Sequence, residues 1–205
     1  MPTLSNFYTL VSQSVLRGTA LDAQIPGAVS RAVEFIERNY NLPYMRHTLT
    51  KSVTNEFVID GDAGQNLKSI QIVRWQDQSA WRRIVQIDPD QLLSSDANWA
   101  AGYEHFVNTT TAGITTHTLR FDAAFAVATT VEVMFWKMTQ IDLANPSVAD
   151  VWLVNNAQDT LLARTMVNLA PIMREPQLMQ MYQQLYMEGI KTLVGSADAL
   201  EQGNR

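Results

Sequence analysis

His47, His105 and His117 are the side chains of this sequence best suited to proton transfer or metal ligation. None stands in an HExxH or other local metal spacing. All three fall in segments that read as strands. His105 and His117 can be cross-strand neighbours, with Glu104 beside one of them, but ordinary sheet histidines are the expectation. Asp60-Gly61-Asp62-Ala63-Gly64 begins like a calcium loop and then departs from it. Gly64 stands where a ligand is required, Gln65 where glycine is required, and Gln71 where the closing glutamate is required. A hairpin turn is expected there instead. Asp88 and Asp90 flank Pro89 at a predicted helix start, where carboxylates favour the helix dipole. There is no GxSxG elbow, no GxxxxGK[ST] phosphate loop and no GxGxxG. No catalytic residue, metal site or cofactor is expected.

The basic cluster is Trp81-Arg82-Arg83, with Arg74 and Trp75 nearby. Alternating Arg and Trp on paired strands can stack on bases or hold phosphates. In a chain of net charge −5 the expected roles are different. Arg stems cover the Trp faces, or the cluster forms a subunit interface. Met173, Met179, Met181 and Met187 crowd the end of the chain and suit either core filling or a plastic contact surface.

Composition narrows the classes further. The chain has 205 residues, of which 46% are hydrophobic, enough for one sizeable domain or two small ones. Fifteen basic residues against twenty acidic ones argue against tight sequence-independent DNA binding. Charged residues reach only 17%, a low-charge surface that suits protein contacts. The absence of cysteine removes disulfides and thiol nucleophiles and fits a reducing compartment. No apolar run is long enough to span a bilayer, and no basic stretch precedes an apolar one at Met1, so no secretory signal is expected.

The elements that must position these residues follow from periodicity. Leu4, Phe7, Tyr8, Val11 and Val15 recur at helical spacing, with Gly18 as a stop. Pro26 opens a second helix carrying Val29, Ala32, Val33, Ile36 and Tyr40, which ends at Asn41 to Pro43. From residue 45 the period becomes two. Strands are predicted at Glu56–Ile59, Leu67–Trp75, Trp81–Ile87, Tyr103–Thr109, Thr115–Phe121 and Thr129–Met138, with a short helix from Asp88-Pro89 through Leu92 and Leu93. Asn145-Pro146-Ser147 starts a long helix carrying Val148, Val151, Trp152, Leu161, Leu162, Met166 and Leu169. Pro171 and Pro176 bracket a bend. In the last helix Leu178, Tyr182, Leu185, Gly189 and Leu193 form a stripe, flanked by Met179, Tyr186 and Ile190. The expected fold class is α+β: a helical bundle from the N- and C-terminal helices with an inserted antiparallel β domain. The expected divisions are residues 1–43, a helical hairpin; 44–140, the β domain; 141–195, a helical hairpin packing on 1–43; and 196–205, a tail.

This organisation resembles the head-to-tail adaptor (connector) family of tailed bacteriophages. The likeness runs through Ile25 to Arg38, Thr116 to Asp122, Val131 to Lys137, Asn145-Pro146 through Ala170, and Met181 to Leu193. It covers most of the chain and lies in architecture and texture, without a sharp signature. It implies a structural, non-enzymatic virion protein of the neck or tail, synthesised in the host cytoplasm. Copies would form a dodecameric ring between the portal protein and the tail nozzle or tail-tube protein. Double-stranded DNA would pass through the channel without specific binding, and no membrane is involved. Portal-interface candidates are Met181, Tyr182, Tyr186, Leu193, Leu200 and Arg205. Intersubunit or nozzle-interface candidates are Arg74, Trp75, Trp81, Arg82 and Arg83. Competing readings are a neck or tail-completion protein, a ligand-binding β module stacking on Trp75, Trp81, Trp99 and Trp136, and a cell-wall hydrolase.

Overall fold

The computed structural model describes residues 3–15, 18–77, 80–87, 102–110, 115–121, 127–141, 143, 145–146 and 151–202, with backbone alone at 18, 19, 62, 65 and 196–202. The chain divides into two compact units. One comprises residues 1–44 with 139–205, the other residues 45–138.

The first unit is helical. Helix α1, Leu4–Val15, buries Leu4, Phe7, Val11 and Val15 at the i, i+3/i+4 spacing of one helix face. After a 3-10 segment, Gly18–Gln24, helix α2 spans Ile25–Asn39 with a proline in its first turn. It buries Ile25, Ala28, Val29, Ala32, Val33 and Ile36, and with them Glu37. Beyond residue 150 the predicted long helix is broken. Ala157, at φ −143°, separates α4, Trp152–Asn156, from α5, Gln158–Met173. Helix α5 is buried around most of its circumference and packs against both α2 and α6, Pro176–Gln202. Asn168 Nδ2 donates to the Ala28 carbonyl at 3.0 Å, joining α5 to α2. Pro171 sits in the last turn of α5, and Arg174 at φ 59° ends it in the left-handed region, as expected of a sharp helix stop.

The second unit is a seven-stranded sheet: β1 Arg46–Val53, β2 Glu56–Ile59, β3 Leu67–Asp77, β4 Ala80–Gln86, β5 Gly102–Thr109, β6 Thr115–Phe121 and β7 Thr129–Lys137. The order is β1-β7-β3-β4-β5-β6-β2, so the strands at the two ends, β1 and β2, are sequence neighbours that approach one another. Lys51 of β1 reaches across to the Val58 carbonyl of β2 at 2.6 Å. Phe57, Ile59, Val73, Ile84, Leu119, Val131, Val133 and Phe135 fill the interior with alternating positions, as in a small barrel. Strand β7 lies between β1 and β3 and buries Trp136 on its other face, where Thr130, Glu132 and Met134 are half-buried.

This sheet corrects the expected fold class. In place of an antiparallel β domain inserted in a helical bundle, the strands form a mixed, nearly closed, barrel-like sheet with a core of its own. The mixed character comes from β4 and β5, which pair in parallel at Val85↔Gly102 and Gln86↔Tyr103. A parallel pair needs a connection of about a dozen residues or more, and the long stretch after Gln86 supplies it. The expected helix through Leu92 and Leu93 lies outside the described residues. The expected hairpin at Asp60–Gly64 is also corrected. Residues Gly61–Gln65 form a single helical turn, α3, and β2 pairs with β6 instead of β3. Gly61 has φ +59°, which favours glycine. A Cβ on Gly64 would lie 2.7 Å from the Ile59 carbonyl oxygen and 2.8 Å from that of Thr115, so only glycine lets this turn seat between β2 and β6.

Candidate functional site

The Arg/Trp candidates divide between the two faces of the barrel wall, because Cα partners share a face. Arg74 faces Arg83, Trp75 faces Arg82 and Gln76 faces Trp81. Trp75 packs against the interior core, which puts Arg82 on the interior side at the barrel's end and Arg74, Trp81 and Arg83 outside. On the outer face Arg74 lies 4.8 Å from the Trp81 ring centre and donates from Nε to Glu132 Oε1 of β7 at 2.6 Å. On the inner face Arg82 lies 5.9 Å from the Trp75 ring and pairs with Asp77 at 2.6 Å. The sequence alternation therefore builds two separate Arg–Trp–carboxylate sets. In both, aromatic and carboxylate partners already occupy the guanidinium. Arg83 is exposed beside Arg74.

The candidates on α6 also separate. Tyr186 is 2% exposed and Ile190 equally buried, so the two residues read as flanks form the seam of the helix. Tyr182 and Leu193 are half-buried. Met181 and Leu185 are 46% and 48% exposed, and Met179 and Met187 are also open to solvent. The expected stripe is thus rotated. Gly189 explains the rotation: a Cβ there would meet Thr160 Oγ1 of α5 at 2.4 Å, so α6 approaches α5 at that point. Leu193 lines an open groove of about 560 Å³ with Asn155, Asn156, Gln158 and Thr192. Arg205 and the Leu200 side chain lie outside the described residues, as does Trp99.

His105 and His117 do meet, diagonally across β5 and β6. Nε2 of His105 lies 2.8 Å from Nδ1 of His117, and the rings stack at 5.0 Å. One ring nitrogen must accept, so at least one imidazole in the pair is neutral. Burial lowers both pKa values; His117 further lowers that of His105, and a hydrogen bond with the Gly64 backbone partly offsets the effect at His117. Glu104 projects to the opposite face of β5. His47 stacks on Phe135 at 6.0 Å, away from that pair. Among the described residues no three His, Asp or Glu side chains converge as a metal group.

Two residues of the helical unit were not singled out by sequence. Glu37 is 1% exposed. Its Oε1 accepts from the Tyr44 hydroxyl at 2.6 Å and its Oε2 from the Thr139 N–H at 2.6 Å. Tyr44 stacks on Trp152 at 4.6 Å. Burial, and then the Glu37 carboxylate, push the Tyr44 hydroxyl far above the usual phenol range. Glu37 stands one turn after Val33 on the apolar face of α2, a signal readable in the sequence. The second residue is Arg164 of α5, whose guanidinium lies 3.6 Å from the centre of the Phe35 ring and 5.6 Å from that of Tyr186.

The described side chains thus supply aromatic–cation pairs, exposed apolar residues on α6 and an open groove beside Leu193. No protein-family model matches the chain, and no curated protein matches its sequence. Among the described residues no helix is long and apolar enough to cross a membrane.

Proposed function

We propose that the chain is a structural head-to-tail adaptor of a tailed phage, a subunit of a ring between the portal and the tail nozzle, through whose channel DNA passes. The observation that carries this reading is the exposed apolar pair Met181 and Leu185, one turn apart on the same face of α6. The helix is 27 residues long against 16 for α5. It buries Tyr186 and Ile190 on its own unit and leaves Met179, Met181, Leu185 and Met187 exposed. Apolar side chains grouped on one exposed element mark protein contact surfaces. Methionines suit a surface that must adapt to a partner. The acidic balance suits a channel wall that does not hold DNA. The Arg–Trp sets support the same reading, since their charges are neutralised within the chain and leave little to grip phosphate. A ligand-binding barrel is less well supported, because the interior is filled by side chains and Trp136 is 6% exposed.

Electron microscopy of the chain mixed with its cognate portal tests the proposal. Rings seated on portals are expected, and a Met181→Asp/Leu185→Asp variant that keeps its circular dichroism is expected not to seat. Absence of rings, or seating of the variant as efficiently as the unaltered chain, overturns it.

A further inference from the structure

We propose that Arg164, with Phe35 and Tyr186, forms a binding site for a carboxylate brought by another molecule. The inference is independent of the adaptor reading. Of the arginines with described side chains, Arg74 and Arg164 are the two that are not exposed. Arg74 has Glu132 against its Nε. Arg164 has no carboxylate within 4.0 Å among the described residues, and its buried Nε has no hydrogen-bond partner. A guanidinium partly stripped of water without a counter-ion is costly, and ring faces offset only part of that cost.

The geometry around Arg164 fits an incoming ligand. Phe35 and Tyr186 meet edge to face, with ring centres 6.3 Å apart, and both lie against the guanidinium. These rings fix the plane of the fork, which lowers the entropy lost when a carboxylate pairs with it. Phe35 is 39% exposed, so the ring wall is open to solvent. Loss of water lowers the guanidinium pKa, which an arriving anion would reverse. The ligand class is therefore a carboxylate on an apolar or flat body. Free aromatic acids and an Asp or Glu side chain of a protein segment share that chemistry.

The test uses the full chain and the Nε–H resonance of Arg164 in an NMR titration, assigned by its loss in Arg164→Lys. Sodium benzoate is the probe, with benzamide and sodium chloride as controls at matched ionic strength. A saturable shift with benzoate alone is expected, half-complete at about 1 mM, the range of a single-anchor contact. Phe35→Leu, which keeps the arginine, is expected to weaken binding several-fold. A second series raises the protein concentration without additive. If the same shift appears there, a second copy supplies the carboxylate. If it appears with benzoate alone, the site accepts a free acid. Absence of a saturable shift in both series, or equal shifts with benzoate and chloride, overturns the proposal.

Discussion

The two units place guanidinium groups on aromatic rings in the same way and treat the remaining charge differently. On the barrel, Arg74 stacks on Trp81 and Arg120 on Phe106, and each also has a carboxylate, Glu132 and Glu56. These pairs lie on the outer wall, where ion pairs contribute little to stability. In the helical unit the charges lie deeper. Glu37 is enclosed among hydrogen-bond donors, and Arg164 rests on rings with no carboxylate beside it among the described residues. An aromatic partner alone therefore does not identify an arginine as structural; the counter-ion does. Among the described residues, the half-buried arginine of the barrel has a carboxylate and that of the helical unit has none.

The largest expected effect falls on the helical side of this contrast. Glu37→Ala leaves the Tyr44 hydroxyl and the Thr139 N–H without their acceptor, and urea unfolding should show a loss of about 3 kcal/mol. A value below about 1 kcal/mol would place Glu37 with the surface charges and erase the contrast. Next come two substitutions of unequal consequence. Glu132→Ala should cost about 1 kcal/mol by stranding Arg74, whereas Arg164→Met should lie within about 0.5 kcal/mol of neutral, because no described carboxylate loses a partner. Equal losses in the two variants would show that both arginines are compensated alike.

The smallest effect is a pH dependence confined to the barrel. His105 and His117 have folded-state pKa values below those of the unfolded chain, so the unfolded state binds protons more readily. Their contribution to stability is full above about pH 6.5 and is lost as pH falls through the folded values. Thermal unfolding between neutral and mildly acidic pH should show a steeper decline than in a His105→Gln/His117→Gln variant. Parallel declines would remove the pair from the barrel's stability.

The strands were legible because alternation is local. Thr115–Phe121 and Thr129–Lys137 match the period-two segments read from the chain. Their pairing was not legible. The turn residues at Asp60–Gly64 satisfy a hairpin and a one-turn helix equally well, and the choice depends on β6 being present beside β2. The face of α6 was misjudged because apolar residues surround the helix; the contact between Gly189 and Thr160 sets its rotation, and that contact is not local. Of the site, the alternation of Arg and Trp was visible, but its division between two faces required the register Trp75↔Arg82. Arg164 carried no sequence signal, since an arginine on a helix is ordinarily a solvated one.

The place of β7 has a consequence for how the molecule comes into being. It is the last of the described strands, yet it lies between β1 and β3, two of the earlier ones. Until Thr129–Lys137 has been synthesised, those two strands have no partner between them, and the sheet stays split. Thr139, one of the two donors to Glu37, follows immediately. The native pairing therefore depends on distant contacts, the kind that makes folding slow. Collapse of the barrel and locking of Glu37 become late, nearly simultaneous events, and a nascent chain stalled before residue 129 would present bare strand edges to any neighbour.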